Sequence, residues 1–298
     1  MNEYFDTIII GAGTAGLTAA IYTARSERSV LVLESSSIGG QISTSPLVEN
    51  YPGFMNMSGM EFSEKLYEQA TALGVKISFE DVTKIETVGN DKYVYSDDNK
   101  RSCKKIIIAS GQKPRKLGVE NEEKLTGIGV SYCAICDGPF YKNKTVAVAG
   151  GGNAALQSVR LLAGICKKVY MIHRRDTFRG ERIQAGELEK MENIEFVLNS
   201  NITELSGDKK LTGITVKNTQ TNQLRQLEAD GLFISVGHTP NSDIFKGLID
   251  LDEYGYIIAA EDCKTNINGI YAAGDCRKKT IRQLTTAAAD GTVAAMAE

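Results

Sequence analysis

The sequence predicts an α/β protein built of two Rossmann-like three-layer domains, one inserted into the other. Three observations carry this. A strand, a glycine turn, a helix and a second strand open the chain. The same pattern returns 139 residues later. Two apolar strands, Ile106 to Gly111 and Leu232 to Gly237, end alike and are each followed within a few residues by a proline, Pro114 and Pro240.

The first strand is Thr7 to Ile10, and the turn is Gly11-Ala12-Gly13-Thr14-Ala15-Gly16. A helical stretch, Leu17 to Arg25, leads to the strand Val30 to Leu33, which ends at Glu34. Strand, turn, helix, strand is one βαβ unit. Its strands are continuous apolar runs, as in a parallel sheet covered on both faces. The second copy runs from Val146 through Gly150-Gly151-Gly152-Asn153-Ala154-Ala155 and a helical stretch, Leu156 to Ala163, to the strand Val169 to Ile172. A duplicated unit at a fixed offset is a strong organisational signal. Between the copies lie an amphipathic helix, roughly Gly59 to Gly74, and a β-rich section, Val75 to Ser110. Near the end a strand, Ile270 to Ala273, runs into Gly274-Asp275, and an Ala-rich helix begins at about Gln283. Reading the two prolines as crossings divides the chain into 1–114, an inserted 115–240, and 241–298. Two short, ordered crossings suit a hinge.

Composition agrees. The 298 residues suffice for two domains, and 42% hydrophobic with 24% charged residues excludes disordered, collagenous and disulfide-stapled classes. Thirty-four basic against 37 acidic residues leave no basic field for nucleic acid. The uncharged run Thr7 to Ala24 approaches the length of a membrane span. Its three glycines and threonines, and the fingerprint they form, argue against one. Met1 to Asp6 holds no basic residue, so a signal peptide is not expected and the expected compartment is the cytoplasm.

Gly11-x-Gly13-x-x-Gly16 is a dinucleotide fingerprint in its proper context. The first glycine permits the turn, the second admits a pyrophosphate, and the third lets helix and strand pack closely. Glu34, 23 residues after Gly11, is placed to accept hydrogen bonds from ribose hydroxyls. Thr14 and Ala15, in the same turn, belong to this site, with Ala109, Gly111 and Gly274 at two later strand ends. In the second copy, Gly150-x-Gly152-x-x-Ala155 repeats the pattern, with Asn153 and Ala154 inside it. The position matching Glu34 is His173, followed by Arg174, Arg175 and, further on, Arg179. An acid repels a 2′-phosphate, whereas arginines bind it through charge-assisted hydrogen bonds. The first site therefore takes a free-ribose dinucleotide and the second takes NADP(H).

Cys133-Ala134-Ile135-Cys136-Asp137 lies just ahead of the second copy. An isolated C-x-x-C in a large chain reads as redox or metal-binding. Zinc needs four ligands, and only two histidines, His173 and His238, exist. Inert buried cysteines are the other reading weighed against a redox pair. Asp137 is placed to shuttle a proton to a thiolate. Cys103, Cys166, Cys263 and Cys276 are spaced irregularly and read as small buried hydrophobes. A dithiol and a nicotinamide each exchange two electrons, and a flavin between them is the natural converter, so the first site is most simply FAD.

These residues resemble those of the low-molecular-weight, bacterial-type thioredoxin reductases, essentially end to end. The matching stretches are Gly11 to Gly16, Gly39-Gly40-Gln41, Val48 to Gly53, Cys133 to Gly138, Gly150 to Ala155, His173 to Arg179, Gly237 to Asn241, and Gly274-Asp275 with Arg282-Gln283. The resemblance implies NADPH-dependent reduction of thioredoxin through FAD. It implies that Glu34, Gly40, Gln41, Asn50, Asp275, Arg282 and Gln283 hold FAD. It implies that Cys136 faces the flavin, that Cys133 attacks the partner's disulfide and that Asp137 handles protons. It further implies a homodimer whose inserted domain rotates. Another redoxin, a peroxiredoxin or a ferredoxin-linked electron supply are the alternatives. With ten residues before Gly11 an N-terminal redoxin module is not expected, and the arginine cluster counts against ferredoxin. The chain ends at Glu298, where relatives often run longer, and Cys276 stands where an apolar residue is expected.

Overall fold

The computed structural model describes residues 3–45, 47–89, 91–97 and 99–297. Met1, Asn2, Pro46, Asn90, Asp98 and Glu298, which fall within stretches read above, lie outside them. The chain divides into two compact units. One comprises the chain up to Lys113 and from Thr239 onward; the other is Pro114–His238.

In the first unit five parallel strands lie in the order Lys76–Phe79, Val30–Glu34, Glu3–Ile10, Asn99–Ile108, Ile270–Ala272. The continuous apolar runs now have their reason. Ile9, Val32 and Ile107 face the core beneath the helices Thr14–Arg25 and Leu284–Met296. Ile8, Ile10, Leu31, Leu33, Ile106 and Ile108 face a second core. Alternate residues thus enter opposite cores, and both must be apolar. The first half of Asn99–Ile108 also pairs antiparallel with Asp91–Ser96, which pairs with Val82–Val88. This meander is the β-rich section of the sequence.

The second unit repeats the design. Its parallel order is Ile194–Val197, Lys168–Ile172, Thr145–Gly150, Gly231–Ser235, Val130–Ser131. Val146, Val148, Val169 and Met171 pack with the helix Asn153–Ala163, and Ala147, Ala149, Tyr170 and Ile172 fill the other face. A three-stranded antiparallel sheet, Ser200–Gly207, Leu211–Asn218 and Leu224–Glu228, covers that second face. The connecting segments Gln112–Pro114 and His238–Pro240 pair as a short ribbon.

Both fingerprint helices start three residues earlier than their apolar periodicity suggests, at Thr14 and Asn153. The last glycine-loop residues are themselves the first helical turn. The run Thr7 to Ala24 divides into a strand and a helix, and among the described residues no helix is long and apolar enough to cross a membrane.

Candidate functional site

The loop after the first strand is shaped by contacts that only glycine permits. Gly11 has φ +106°, and a Cβ there would lie 2.4 Å from the Ala109 carbonyl oxygen. A Cβ at Gly16 would lie 1.9 Å from the Gly11 oxygen. Gly13 is different: the nearest atom to its absent Cβ is 3.7 Å away, so the backbone there is open to a ligand. The helix Thr14–Arg25 begins at Gly13 with no capping side chain and no acid in its first turn. Its free N–H groups and positive dipole end therefore remain available to a phosphate.

Glu34 lies buried at the end of its strand, beside this loop. Its carboxylate accepts the Ala12 N–H at 2.6 Å and the Ser36 N–H at 2.9 Å. Gly40 opens a short turn, Gly40–Thr44, in which Gln41 donates to the Gln112 carbonyl at 2.7 Å. Asn50 donates to the Gln283 side chain at 3.2 Å, although 233 residues separate them. Gln283 in turn caps the helix Leu284–Met296. The fold thus joins Asn50 to Gln283, and Gln41 to the strand that follows Gly111.

Gly274 and Asp275 form a tight turn after Ile270–Ala272. Two of its neighbouring polar atoms are buried without a hydrogen bond: Asp275 Oδ1 and Arg282 Nε. Burial raises the Asp275 carboxyl above the ordinary aspartate value. The Arg282 guanidinium lies 4.1 Å over the Tyr256 ring. Orphaned buried polar atoms need partners, and hydroxyls or phosphates of a dinucleotide would supply them. The open Gly13 backbone and these two atoms fit FAD.

The sequence held one weaker clue. Asp290 is the single charged residue of the helix Leu284–Met296. It is buried and accepts from the Gly274 N–H at 3.0 Å, from Arg277 at 2.8 and 3.2 Å, and from Lys279 at 3.0 Å. A lone acid inside an Ala-rich helix signals such a hub.

In the second unit Gly150, at φ +150°, would place a Cβ 2.3 Å from the Ser235 carbonyl oxygen, while nothing lies within 4 Å of the same position at Gly152. Asn153–Ala163 again starts without a side-chain cap or an acid. Ala154 is exposed at that start, and Ala155 is fully buried where the third glycine would stand. The loop after Lys168–Ile172 is latched to the glycine loop. Arg179 and Gly180 donate backbone N–H groups to the Gly151 carbonyl at 2.7 and 3.1 Å, and Glu181 donates to the Asn153 side chain at 2.8 Å.

His173 belongs to the latch. It is buried, its ring lies where a Gly151 Cβ would come within 2.3 Å of it, and Nε2 donates to the Thr177 carbonyl at 3.1 Å. Burial, with the positive charge of Arg174, Arg175 and Arg179 opposing protonation, pulls its pKa down. The structure therefore places His173 beneath the glycine loop and the three arginines on the surface beyond it. No acid among the described residues pairs with any of the three, in keeping with a basic cradle for a 2′-phosphate.

Cys133 and Cys136 are bonded, with S–S 2.10 Å and Cα atoms 5.3 Å apart. Cys133 caps the short helix Ala134–Asp137, its Sγ accepting the Cys136 N–H at 3.2 Å. Its own N–H is held by Ser131 Oγ at 3.0 Å, and its carbonyl accepts the Asp137 N–H at 3.1 Å. Tyr132 donates to buried Glu122 at 2.7 Å, and Glu122 also accepts the Leu117 and Gly118 N–H groups. The redox helix thus starts from a fixed backbone. Cys136 is exposed and Cys133 half-buried, with exposed Ile135 and Phe140 nearby in the chain. The other four cysteines are buried free thiols, pushed by burial up to about 12 for Cys103 and Cys263 and about 11 for Cys166 and Cys276. Thiols so poorly ionised are inert at neutral pH. Among the described residues no cluster of His, Cys, Asp and Glu is arranged to hold a metal.

Two nucleotide loops and an accessible C-x-x-C disulfide on Rossmann-like sheets define a dinucleotide-linked disulfide oxidoreductase. The family model for pyridine nucleotide-disulphide oxidoreductases matches residues 5–291. A thioredoxin reductase of Mycolicibacterium smegmatis is 39% identical over 293 residues, covering 98% of this chain and 94% of the relative. A 34.2 kDa protein in the rubredoxin operon of Clostridium pasteurianum is 41% identical over 296 residues, covering 99% and 96%. The crystal structure of a Lactococcus lactis thioredoxin reductase superposes with a TM-score of 0.92 at 41% identity, covering 98% of this chain and 96% of that one. The chain belongs to the pyridine nucleotide-disulphide oxidoreductase family.

Proposed function

We propose that this protein is an NADPH-dependent thioredoxin reductase. Its net reaction is NADPH + H⁺ + thioredoxin disulfide → NADP⁺ + thioredoxin dithiol. The observation that carries it is the accessible Cys133–Cys136 disulfide, in a chain that also holds two distinct dinucleotide loops.

In this reading Gly11, Gly13, Thr14, Ala15, Gly16, Glu34, Gly40, Gln41, Asn50, Ala109, Gly111, Gly274, Asp275, Arg282 and Gln283 hold FAD. Gly150, Gly152, Asn153, Ala154, Ala155, Arg174, Arg175 and Arg179 hold NADPH, and His173 supports the arginine loop from beneath. Bound FAD supplies the two-electron transfer between nicotinamide and disulfide. Reduction of the Cys133–Cys136 bond leaves one thiol and one thiolate. The Cys136 N–H directed at Cys133 Sγ favours the thiolate on Cys133. Cys133 attacks one sulfur of the partner's disulfide, and the other leaves as a thiolate that takes a proton, with Asp137 as relay. Cys136 then attacks Cys133, the internal disulfide re-forms, and the second partner thiolate departs. Exposed Ile135 and Phe140 offer apolar surface to a protein substrate. A homodimer in the cytoplasm, where the four buried thiols stay reduced, completes the reading.

The test supplies NADPH and the organism's redoxins one at a time. Thioredoxin should be reduced far faster than a small-molecule disulfide; equal rates would sink the assignment of substrate. Cys133→Ser should abolish disulfide reduction while NADPH still bleaches the flavin.

A further inference from the structure

Behind the Gly274–Cys276 turn, two carboxylates share one lysine. Lys279 Nζ lies 3.0 Å from Asp290 Oδ2 and 3.7 Å from Asp275 Oδ1, with its side chain only 9% exposed. Asp290 is saturated by the Gly274 N–H, Arg277 and Lys279. Asp275 is the opposite case, because its buried Oδ1 accepts no hydrogen bond. The charged groups that act on Asp275 are Lys279 and Arg282 from its own segment and Asp290 from the last helix. A Cβ at Gly274 would lie 2.8 Å from the Ala15 methyl of the first helix, and burial pushes the adjacent Cys276 thiol up to about 11. Burial and Asp290 work against a charge on Asp275, while Lys279 and Arg282 work for it.

We propose that Lys279 is a positioning residue of the flavin site: its ammonium, shared between Asp290 and Asp275, keeps Asp275 an ionised acceptor for a hydroxyl of FAD. The inference rests on the reading of Asp275 as a flavin ligand and adds how its charge is maintained. An ionised carboxylate makes hydrogen bonds roughly twice as strong as a neutral partner does. Without the ammonium, the desolvated Asp275 carboxyl rises further, and affinity for FAD is lost as the pH falls through the raised value.

The test is FAD uptake by apoprotein, followed by quenching of flavin fluorescence across pH, with circular dichroism to confirm that each apoprotein is folded. Lys279→Met should bind FAD about tenfold more weakly than wild type at pH ~6.5 and converge to within about threefold near pH ~9. Lys279→Arg should keep the wild-type profile. Adding Asp275→Asn to Lys279→Met should flatten the profile, because no carboxyl is left to titrate. A Lys279→Met apoprotein that binds as tightly as wild type, or is weakened by the same factor at every pH, would overturn the proposal. Should Lys279→Met not fold, Lys279→Gln, neutral but still a hydrogen-bond donor, carries the same expectations. A wild-type apoprotein that takes up no FAD at any pH would strike the flavin reading itself.

Discussion

At position 173 a motif's register and a side chain's task part company. Aligning the two glycine motifs at their 139-residue offset sets His173 against Glu34, where Glu34 is the last residue of its strand and His173 is the first beyond Lys168–Ile172. Glu34 closes onto its own loop through the Ala12 N–H, while His173 lies flat beneath Gly151 and bonds Thr177. In the proposed reading the phosphate-facing task falls to Arg174, Arg175 and Arg179, which follow His173 in the chain and are exposed. Replacing Arg174 and Arg175 together by glutamine should raise KM for NADPH about 10- to 100-fold, as expected for charge-assisted hydrogen bonds of about 1.5–3 kcal/mol, and leave KM for NADH nearly unchanged. Steady-state kinetics with both nucleotides checks this, and an unaltered preference would refute the basic-cradle argument. Such residues were legible because glycine spacing and local charge are properties of a few consecutive positions. The partners of Asp290 were not, because Gly274, Arg277 and Lys279 come from a turn 11 to 16 residues earlier, brought to it only by helix packing.

The same contrast holds for whole elements. Fully buried parallel strands announce themselves, since both faces of each strand must be apolar. The antiparallel sheet Ser200–Gly207, Leu211–Asn218 and Leu224–Glu228 does not, because only one face is covered. Leu205, Leu211, Ile214, Val216 and Leu227 are buried there, among exposed charged and polar neighbours. The last helix was legible as Ala-rich, but the reason for its small residues was not. Gly291 meets the first helix so closely that a Cβ would lie 2.3 Å from the Ala15 oxygen. The C-terminal carbonyls of that helix, Ala294, Ala295 and Ala297, are taken by buried Lys105. Gly291→Leu therefore forces the helix away from Thr14–Arg25 and carries Asp290 with it. Overpacking of this kind costs about 1–3 kcal/mol. Thermal melting should show a lowered midpoint, and the flavin should be released more readily than from wild type. A variant with wild-type melting and flavin retention would show that the helix accommodates the side chain.

At the scale of the molecule, the two units are unequal in how the chain builds them. The unit Pro114–His238 is one continuous segment with cores on both faces of its own parallel sheet. The other unit is completed only when the chain returns, through the pairing of Ile270–Ala272 with Asn99–Ile108 and the packing of Leu284–Met296 on the first helix. The segments at the unit boundary, Gln112–Pro114 and His238–Pro240, pair as strands, and paired strands lie about 4.8 Å apart. An insertion whose ends meet can be lifted out without stretching the host. Residues 114–238 expressed alone should fold cooperatively, form the Cys133–Cys136 disulfide and bind immobilised adenosine 2′,5′-bisphosphate, yet take up no flavin. A chain in which 114–238 is replaced by a short Gly/Ser linker should do the reverse, binding FAD and ignoring the bisphosphate. Neither piece should oxidise NADPH with a disulfide substrate, because each holds only part of the relay. Circular dichroism, affinity retention and flavin absorbance decide the matter. An inserted segment that folds but binds FAD, or a host that binds the bisphosphate, would reverse the assignment of the two glycine loops, because each excised piece carries just one of them.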